Sequence, residues 1–405
     1  MRLPLLPVLI VLVVGLLADW YILRRIRRST ARPSVAMAWF RSVYIIVAAI
    51  ATLGMAVVAF MPKKSADDAW LGVFMWSIFT YFSIYIPKYL FVIFSVIRQG
   101  ASALFHRPLR AITIVGAALS FLLFVFLWWG ALVTRFNIDV RHVDVDIKGL
   151  PKGFEGYSIV QISDLHTGTY GGDPRFLEKM VERVNSLKPD IILFTGDIVN
   201  RHSSELIPYM ATLSGLSAPD GVWSVMGNHD YGEYYRWPSE ADRLADVGRL
   251  KSMQGAMGWK MLNNDHAILR HGADSIVLIG VENIGDPPFT TYGDLRRAYP
   301  RLDDPSTKIL MSHNPAHWTD SVADSPDINI ALTLSGHTHA MQIELLGWSP
   351  ASMRYHTWGG LYSDSLHRKL YVNIGLGEVG FPSRIGATPE ITLITLKGAD
   401  APQSQ

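Results

Sequence analysis

The sequence predicts an N-terminal transmembrane helical region followed by a layered α/β domain, on three observations. The first is charge. Among 405 residues, positions 1–134 hold ten Arg and three Lys against three Asp and no Glu, a net of +10; positions 135–405 hold 24 basic and 32 acidic side chains, a net of −8. The second is a set of apolar runs in the first third, long enough to cross about 30 Å of hydrocarbon, which takes roughly 20 helical residues. The third is a recurrence of strand-length apolar runs in the remainder, several ending in a small cluster of Asp, His, Asn and Gly. The absence of cysteine excludes disulfides, Cys-ligated zinc, iron–sulfur clusters and a thiol nucleophile.

Region 1–134 reads as about four helices. Residues 43–61 and 111–133 contain no charge. Residues 3–23 form a similar run with Asp19 near its end, followed by the interfacial pair Trp20 and Tyr21. Arg24, Arg25, Arg27 and Arg28 follow this run, whereas a cleaved signal peptide carries its basic residues before the apolar core, so an uncleaved span is expected. Residues 69–97 are interrupted by Pro87-Lys88 and read as one tilted, kinked span. Asp19 and Lys88 are expected to snorkel toward the interface. The loop 24–41 carries six Arg and the loop 98–110 three, while Lys63 and Lys64 are offset by Asp67 and Asp68. Basic loops stay inside, so everything after Arg135 is expected outside, facing the periplasm or cell exterior of a bacterial inner or plasma membrane.

Residues 135–150 read as a polar tether, 151–398 as one folded domain and 399–405 as a disordered tail. Strand-length runs occur at Ser158–Ile162, Ile191–Thr195, Val222–Met226, Ser275–Val281, Ile309–Ser312, Ile328–Leu334, Leu370–Ile374 and Ile391–Leu396. Between the first two, Pro174–Leu187 places Phe176, Leu177, Met180, Val181 and Val184 at helical spacing. A layered sheet with helices outside satisfies this pattern.

Five clusters follow strands: Ser163-Asp164-Leu165-His166, Gly196-Asp197, Gly227-Asn228-His229-Asp230, Ser312-His313-Asn314 and Gly336-His337-Thr338-His339. Asp-x-His and His-x-His put two donors on one side of an extended segment, because side chains alternate with period two. Neighbouring glycines permit the tight turns that let separate strand ends converge. Mixed carboxylate and imidazole ligation without sulfur suits Mn, Fe or Zn better than Mg.

These five ordered blocks resemble the calcineurin-like metallophosphoesterases over roughly residues 154–396, and the stretch Gly375-Leu376-Gly377 through Pro389-Glu390-Ile391 is similar to the bacterial YkuE/YaeI-type branch. The resemblance implies a β-sheet sandwich flanked by helices and a centre of two divalent metal ions. It implies that Asp164, His166 and His339 bind the first ion, that Asp197 bridges, that Asn228, His313 and His337 hold the second, and that His229 is the catalytic histidine. A metal-bridging hydroxide would then attack a phosphate ester. Many relatives read Gly-Asp-x-x-Asp where this chain has Gly196-Asp197-Ile198-Val199-Asn200. If that last side chain orients His229, Asn200 fixes its tautomer without adding charge. Arg201 resembles a phosphate-contacting arginine of phosphoprotein phosphatases.

Outside the blocks, Tyr231, Tyr234, Tyr235 and Trp237 read as packing of a surface insertion or as a substrate wall. His202 and His317 read as structural or surface groups, and Arg384 as a surface charge or a headgroup contact. The expected function is a membrane-anchored dimetal phosphoesterase acting on a phosphodiester of a lipid or envelope precursor. A UDP-2,3-diacylglucosamine pyrophosphatase-type hydrolase with a cytoplasmic domain and a non-enzymatic metal-binding membrane sensor are the alternatives. A domain of net −8 argues against a nucleic-acid partner.

Overall fold

The computed structural model describes residues 5–29, 34–60, 68–285, 289–301 and 304–399. They divide into two compact units, one within 1–133 together with Gly380–Ser383, the other comprising the remainder.

The first unit contains α1 (Leu5–Ser29), α2 (Val35–Phe60), α3 (Asp68–Leu104) and α4 (Arg110–Leu132). All four are long and apolar enough to cross a membrane. In hydrocarbon a helix satisfies every backbone polar group internally, which is why uniformly apolar runs adopt it. Helix α3 is continuous through Pro87, and its 37 residues reach about 55 Å at 1.5 Å per residue. Val8, Ala51, Met55, Ala59, Tyr81 and Tyr85 form the bundle core. Asp19 and Lys88 do not snorkel. Lys88 Nζ lies 2.8 Å from Asp19 Oδ1, and Tyr44 and Tyr85 hydroxyls donate to the same carboxylate at 2.5 and 2.7 Å. Three donors inside the bundle replace the water that snorkelling would have sought.

The second unit has twelve strands: β1 (Asp139–Lys148), β2 (Ser158–Ile162), β3 (Ile191–Phe194), β4 (Val222–Ser224), β5 (Lys260–Met261), β6 (Asp265–His271), β7 (Asp274–Gly280), β8 (Lys308–Met311), β9 (Leu332–Ser335), β10 (Gly360–Ser363), β11 (Lys369–Val372) and β12 (Glu390–Ala399). They form two six-stranded sheets, ordered β1-β12-β2-β3-β4-β5 and β10-β11-β9-β8-β7-β6. Its helices are α5 (Arg175–Ser186), α6 (Met210–Leu213), α7 (Glu240–Ala256), α8 (Leu295–Ala298) and α9 (Ala316–Ser321).

Period-two alternation builds the layers. Ile159, Ile191 and Leu193 of one sheet meet Ile276, Leu278, Ile309 and Met311 of the other in a shared inner core. Their neighbours Val160 and Ile192 face outward onto α5 and α7, through Leu177, Met180, Val184 and Leu250. On the opposite face Val277, Ile279 and Leu310 meet Ala298 of α8 and Trp318 of α9. The result is a β-sandwich with helices on both outer faces.

Residues 135–150 are not a tether. Strand β1 pairs in parallel with β12 at ten positions, from Asp139–Glu390 to Lys148–Ala399. Val145 and Ile147 are buried in the inner core while Asp144 and Asp146 point out, which is why the segment read as polar. Of the expected tail 399–405, Ala399 ends β12 and the rest lies outside the described residues.

Candidate metal centre

Strands β2, β3 and β4 run parallel, as do β7, β8, β9 and β11. The chemistry sits on the loops after β2, β3, β4, β8 and β9, at carboxyl ends, where parallel strands leave a crevice. His166 Nε2 and His339 Nε2 stand 3.1 Å apart, and Asp164 Oδ1 lies 3.2 Å from the His339 nitrogen and 3.9 Å from that of His166. In a second group, His313 Nε2 is 3.1 Å from both Asp197 Oδ2 and Asn228 Oδ1, and His337 Nδ1 is 2.9 Å from the same amide oxygen. Asp197 belongs to both groups, since its Oδ2 is also 3.6 Å from His166 Nε2.

Strained backbone aims these donors. Asp164, His166, Asp197, His337 and His339 all have positive φ, between 47° and 77°. Non-glycine residues enter this region at a cost of about 1–3 kcal/mol each, and such outliers gather at functional sites. Gly336 is needed for close approach, because a Cβ there would collide with Ser163 Oγ and Asp164 Oδ2. Asp230 ties the loops together by accepting from the backbone N–H groups of Asp197, Ile198, Val199 and Gly227, at 2.9–3.2 Å.

The histidines are oriented from behind. His313 Nδ1–H donates to the Thr195 carbonyl at 2.8 Å, which leaves Nε2 facing the centre. His337 Nε2 pairs with the Tyr355 hydroxyl at 2.9 Å, which leaves Nδ1 facing inward. Arg384 Nη2 lies 3.4 Å from His339 Nδ1. His229 Nδ1–H donates to the main-chain carbonyl of Asn200 at 2.7 Å, and Tyr234 stacks on its ring with centroids 4.0 Å apart.

Electrostatics reflect this crowding. Burial would raise the Asp164 carboxyl, but His339 and His313 beside it hold it below the ordinary carboxylate range. Asp197 is likewise held low against burial, by His313 and His229. His313 is pushed up to about 9: burial opposes the shift and the Asp197 carboxylate overcomes it. Burial lowers His229, against the Asp197 charge. Burial, reinforced by Asp197, pushes Asp230 up to about 7 against its amide donors.

The structure thus gathers Asp164, His166, Asp197, Asn228, His313, His337, His339 and His229, and it revises four other readings. The group that orients His229 is the Asn200 carbonyl, not the Asn200 side chain. Arg201 is buried, with Nε 3.4 Å from Glu205 Oε1, because Glu205 also accepts the backbone N–H groups of Asn200 and Arg201 and requires a cation. Arg384 is fully buried and donates to the carbonyls of Ile374, Gly377 and Ala387. A glycine-rich loop leaves carbonyls without partners, and a guanidinium supplies five donors to meet them. Among the four aromatics after the third block, Tyr234 alone stacks on His229 and also bonds Asn228, at 2.9 Å; Tyr231 stacks on Tyr292, and Tyr235 meets Trp237 edge-on. Tyr355 had no sequence signal, since it lies in an irregular loop sixteen positions after His339.

The donor set fits divalent cations. Four buried or half-buried imidazoles, two carboxylates and an amide oxygen point electron pairs into one space, and adjacent nitrogens 3.1 Å apart repel unless a proton or cation lies between them. An α/β sandwich with such a cluster at its strand ends defines a metal-dependent hydrolase.

Comparison with known proteins narrows the class. Residues 157–341 match the family model described as calcineurin-like phosphoesterase, and residues 1–135 match "Probable Calcineurin-like phosphoesterase, transmembrane domain". The chain is 32% identical to the metallophosphoesterase YkuE of Bacillus subtilis over 263 residues, covering 62% of this chain and 82% of that protein. It is 31% identical to a transmembrane protein with metallophosphoesterase domain from Danio rerio, over 64% of this chain and 57% of the relative. It is 29% identical to the UDP-2,3-diacylglucosamine pyrophosphatase LpxG of Chlamydia trachomatis, over 60% and 86%. This chain belongs to the calcineurin-like phosphoesterase family and is a membrane-associated, metal-dependent phosphoesterase.

Proposed function

We propose that the protein hydrolyses a phosphodiester of a lipid or lipid-linked envelope precursor, at a centre of two divalent ions drawn from Mn, Fe or Zn. The convergence of seven donors from five strand ends, with Asp197 common to both groups, carries this reading. Asp164, His166 and His339 are assigned to one ion, Asn228, His313 and His337 to the other, and Asp197 to both. When bound, such ions neutralise charge on a phosphoryl group and make water nucleophilic at neutral pH.

The chain's own residues supply position and proton transfer. Asp197 sets the spacing of the two groups. His229, held at Nδ1 by the Asn200 carbonyl and flanked by Tyr234, keeps Nε2 for the leaving oxygen. When protonated it is a stronger acid than an exposed histidine, because burial lowers its pKa, and loss of such a proton donor costs about 10²–10⁴ in rate. Arg201 supports the Asn200 loop through Glu205.

Membrane spans favour a surface-borne substrate, whose effective concentration near an anchored domain is high. The arginine-rich first and third loops favour an outward domain. The likeness to LpxG supports a second reading, a pyrophosphatase acting on a cytoplasmic UDP-lipid. A reporter fused after Arg135 separates the two: an external signal supports the envelope substrate, and a cytoplasmic signal supports the UDP-lipid. The chemistry is tested on purified full-length protein with an aryl phosphodiester. Chelation should abolish hydrolysis and Mn, Fe or Zn restore it, whereas metal-loaded protein inert on diesters and monoesters would leave a sensor.

A further inference from the structure

The catalytic unit contains a pocket of about 380 Å³ that the metal chemistry does not use. Its basic wall is Arg135, Arg175 and Lys179; its aromatic wall is Phe136, Tyr170 and Phe176. From these residues we infer a binding site for the headgroup phosphate of an anionic phospholipid, independent of the hydrolytic site.

Charge is the first support. The domain as a whole is acidic, net −8 from residue 135 onward, yet three cations gather here. Asp173, the acidic residue of the lining, is paired with Arg175 at 2.5 Å. Arg175 and Lys179 lie four residues apart on α5, hence on one face, and both side chains are exposed. Arg135 differs: it is buried, with Nε 3.0 Å from the carboxylate of Glu378 and its guanidinium 4.6 Å from the Phe136 ring centroid. Two of the cations therefore have a carboxylate partner in place, buried Arg135 with Glu378 and exposed Arg175 with Asp173, and Lys179 on the same exposed face as Arg175 adds the charge that a phosphate would meet.

The walls suit an amphiphile. Tyr170 and Phe176 stack with centroids 5.3 Å apart, and Phe136 meets Phe176 edge-on at 6.1 Å. Aromatic rings are enriched where one end of a group is apolar and the other wet, as at a membrane interface.

Chain connection is the third support. Arg135 is three residues beyond Leu132, the end of α4, and three residues reach about 10 Å at most. The headgroup layers add roughly 10–15 Å to a 30 Å hydrocarbon core. Covalent linkage alone therefore keeps Arg135 near the headgroup layer. Lys179 also lines a second cavity of about 420 Å³, where Arg183 and Glu182 offset each other.

The experiment uses full-length protein in a neutral detergent, with phosphatidylglycerol or phosphatidylcholine added at equal concentration and retained lipid counted by native mass spectrometry. The protein should retain one phosphatidylglycerol in preference to phosphatidylcholine. R175Q/K179Q should weaken that retention about thirtyfold, from about fivefold per basic side chain near a membrane surface. Hydrolysis of a soluble aryl phosphodiester and the thermal midpoint should be unchanged in this variant, which shows that the loss is local. Equal retention of both lipids, or undiminished phosphatidylglycerol retention in R175Q/K179Q, overturns the assignment. So does displacement of the lipid by inorganic phosphate at equal concentration, which would make the site one for free phosphate.

Discussion

The membrane bundle and the catalytic domain both bury carboxylates, and they balance the charge in opposite ways. In the bundle Asp19 has a basic partner built into the fold, Lys88 at 2.8 Å, with the Tyr44 and Tyr85 hydroxyls completing its partners. In the catalytic domain Asp164 and Asp197 face imidazoles, whose charge depends on protonation. Against burial, the Asp197 carboxylate pushes His313 up to about 9, so a proton and a cation would compete for that position. A buried charge with its own fixed partner is architecture. Buried charges surrounded by electron-pair donors form a site that a cation from solution completes.

Breaking the shared ligand should have the largest effect. Asp197→Asn removes charge common to both donor groups, so hydrolysis of an aryl phosphodiester should fall by more than about 10⁴-fold. Metal content by mass spectrometry should drop below two ions per chain, with secondary structure retained. His229→Ala should cost about 10²–10⁴ in kcat with metal content unchanged. That loss should be smaller for a nitrophenolate leaving group than for an alkoxide, which needs a proton more. Equal losses on both would remove His229 from the role of acid.

The bundle offers the contrasting test. Lys88→Met leaves the Asp19 carboxylate without its cation, and removing one partner of a buried pair destabilises by about 3–5 kcal/mol. Thermal unfolding in detergent should show that loss, while kcat per folded molecule stays unchanged. Asp19→Leu with Lys88→Met should recover most of the stability, since an apolar pair of similar volume carries no desolvation cost. A double variant as unstable as the single one would mean that the tyrosines, not the ion pair, hold the helices.

The catalytic unit yields a pH test of the same kind. Burial pushes Glu378 up to about 7 against the attraction of Arg135 and Arg384. Its ordinary value is 4.5, so the folded state binds a proton that the unfolded state releases between pH 4.5 and 7. Stability from this group is full below pH 4.5 and lost as pH rises through about 7. Glu378→Gln should therefore gain on the native protein across that window, by up to about 3 kcal/mol, then hold a constant difference. Parallel stability curves would place the carboxylate outside the buried environment that shifts it.

Sequence revealed the strand ends and their donors because each block combines a strand-length apolar run with Gly, Asp and His at short spacing. Each of the eight predicted runs overlaps a strand. What escaped has a physical pattern. Strands β1, β6 and β10 are edges or next to an exposed face, so half their residues are polar; β1 nonetheless alternates Val143, Val145 and Ile147 with Asp144, Asp146 and Lys148, a period-two signal masked by its charge. Arg384 looked like a surface charge, because nothing local shows that its loop's carbonyls would lack partners. Asn200 acts through a carbonyl that every residue possesses, so its side chain was the wrong place to look.

Tyr355 gives the smallest and most discriminating test of the comparison. Its hydroxyl meets His337 Nε2 at 2.9 Å, so the nitrogen facing the centre is Nδ1 and the ring cannot turn without losing that bond. Outer partners of this kind are worth about 10–100-fold in metal affinity. Tyr355→Phe keeps the ring that packs edge-on to His337 at 5.5 Å and removes only the hydroxyl. Competition with a chelator should then show one of two ions released about 10–100-fold more readily, with kcat restored at saturating metal. His339, backed by the Arg384 guanidinium, should hold the other ion unchanged in the same titration. If both ions weaken together, Asp197 couples the two halves so tightly that neither has an affinity of its own.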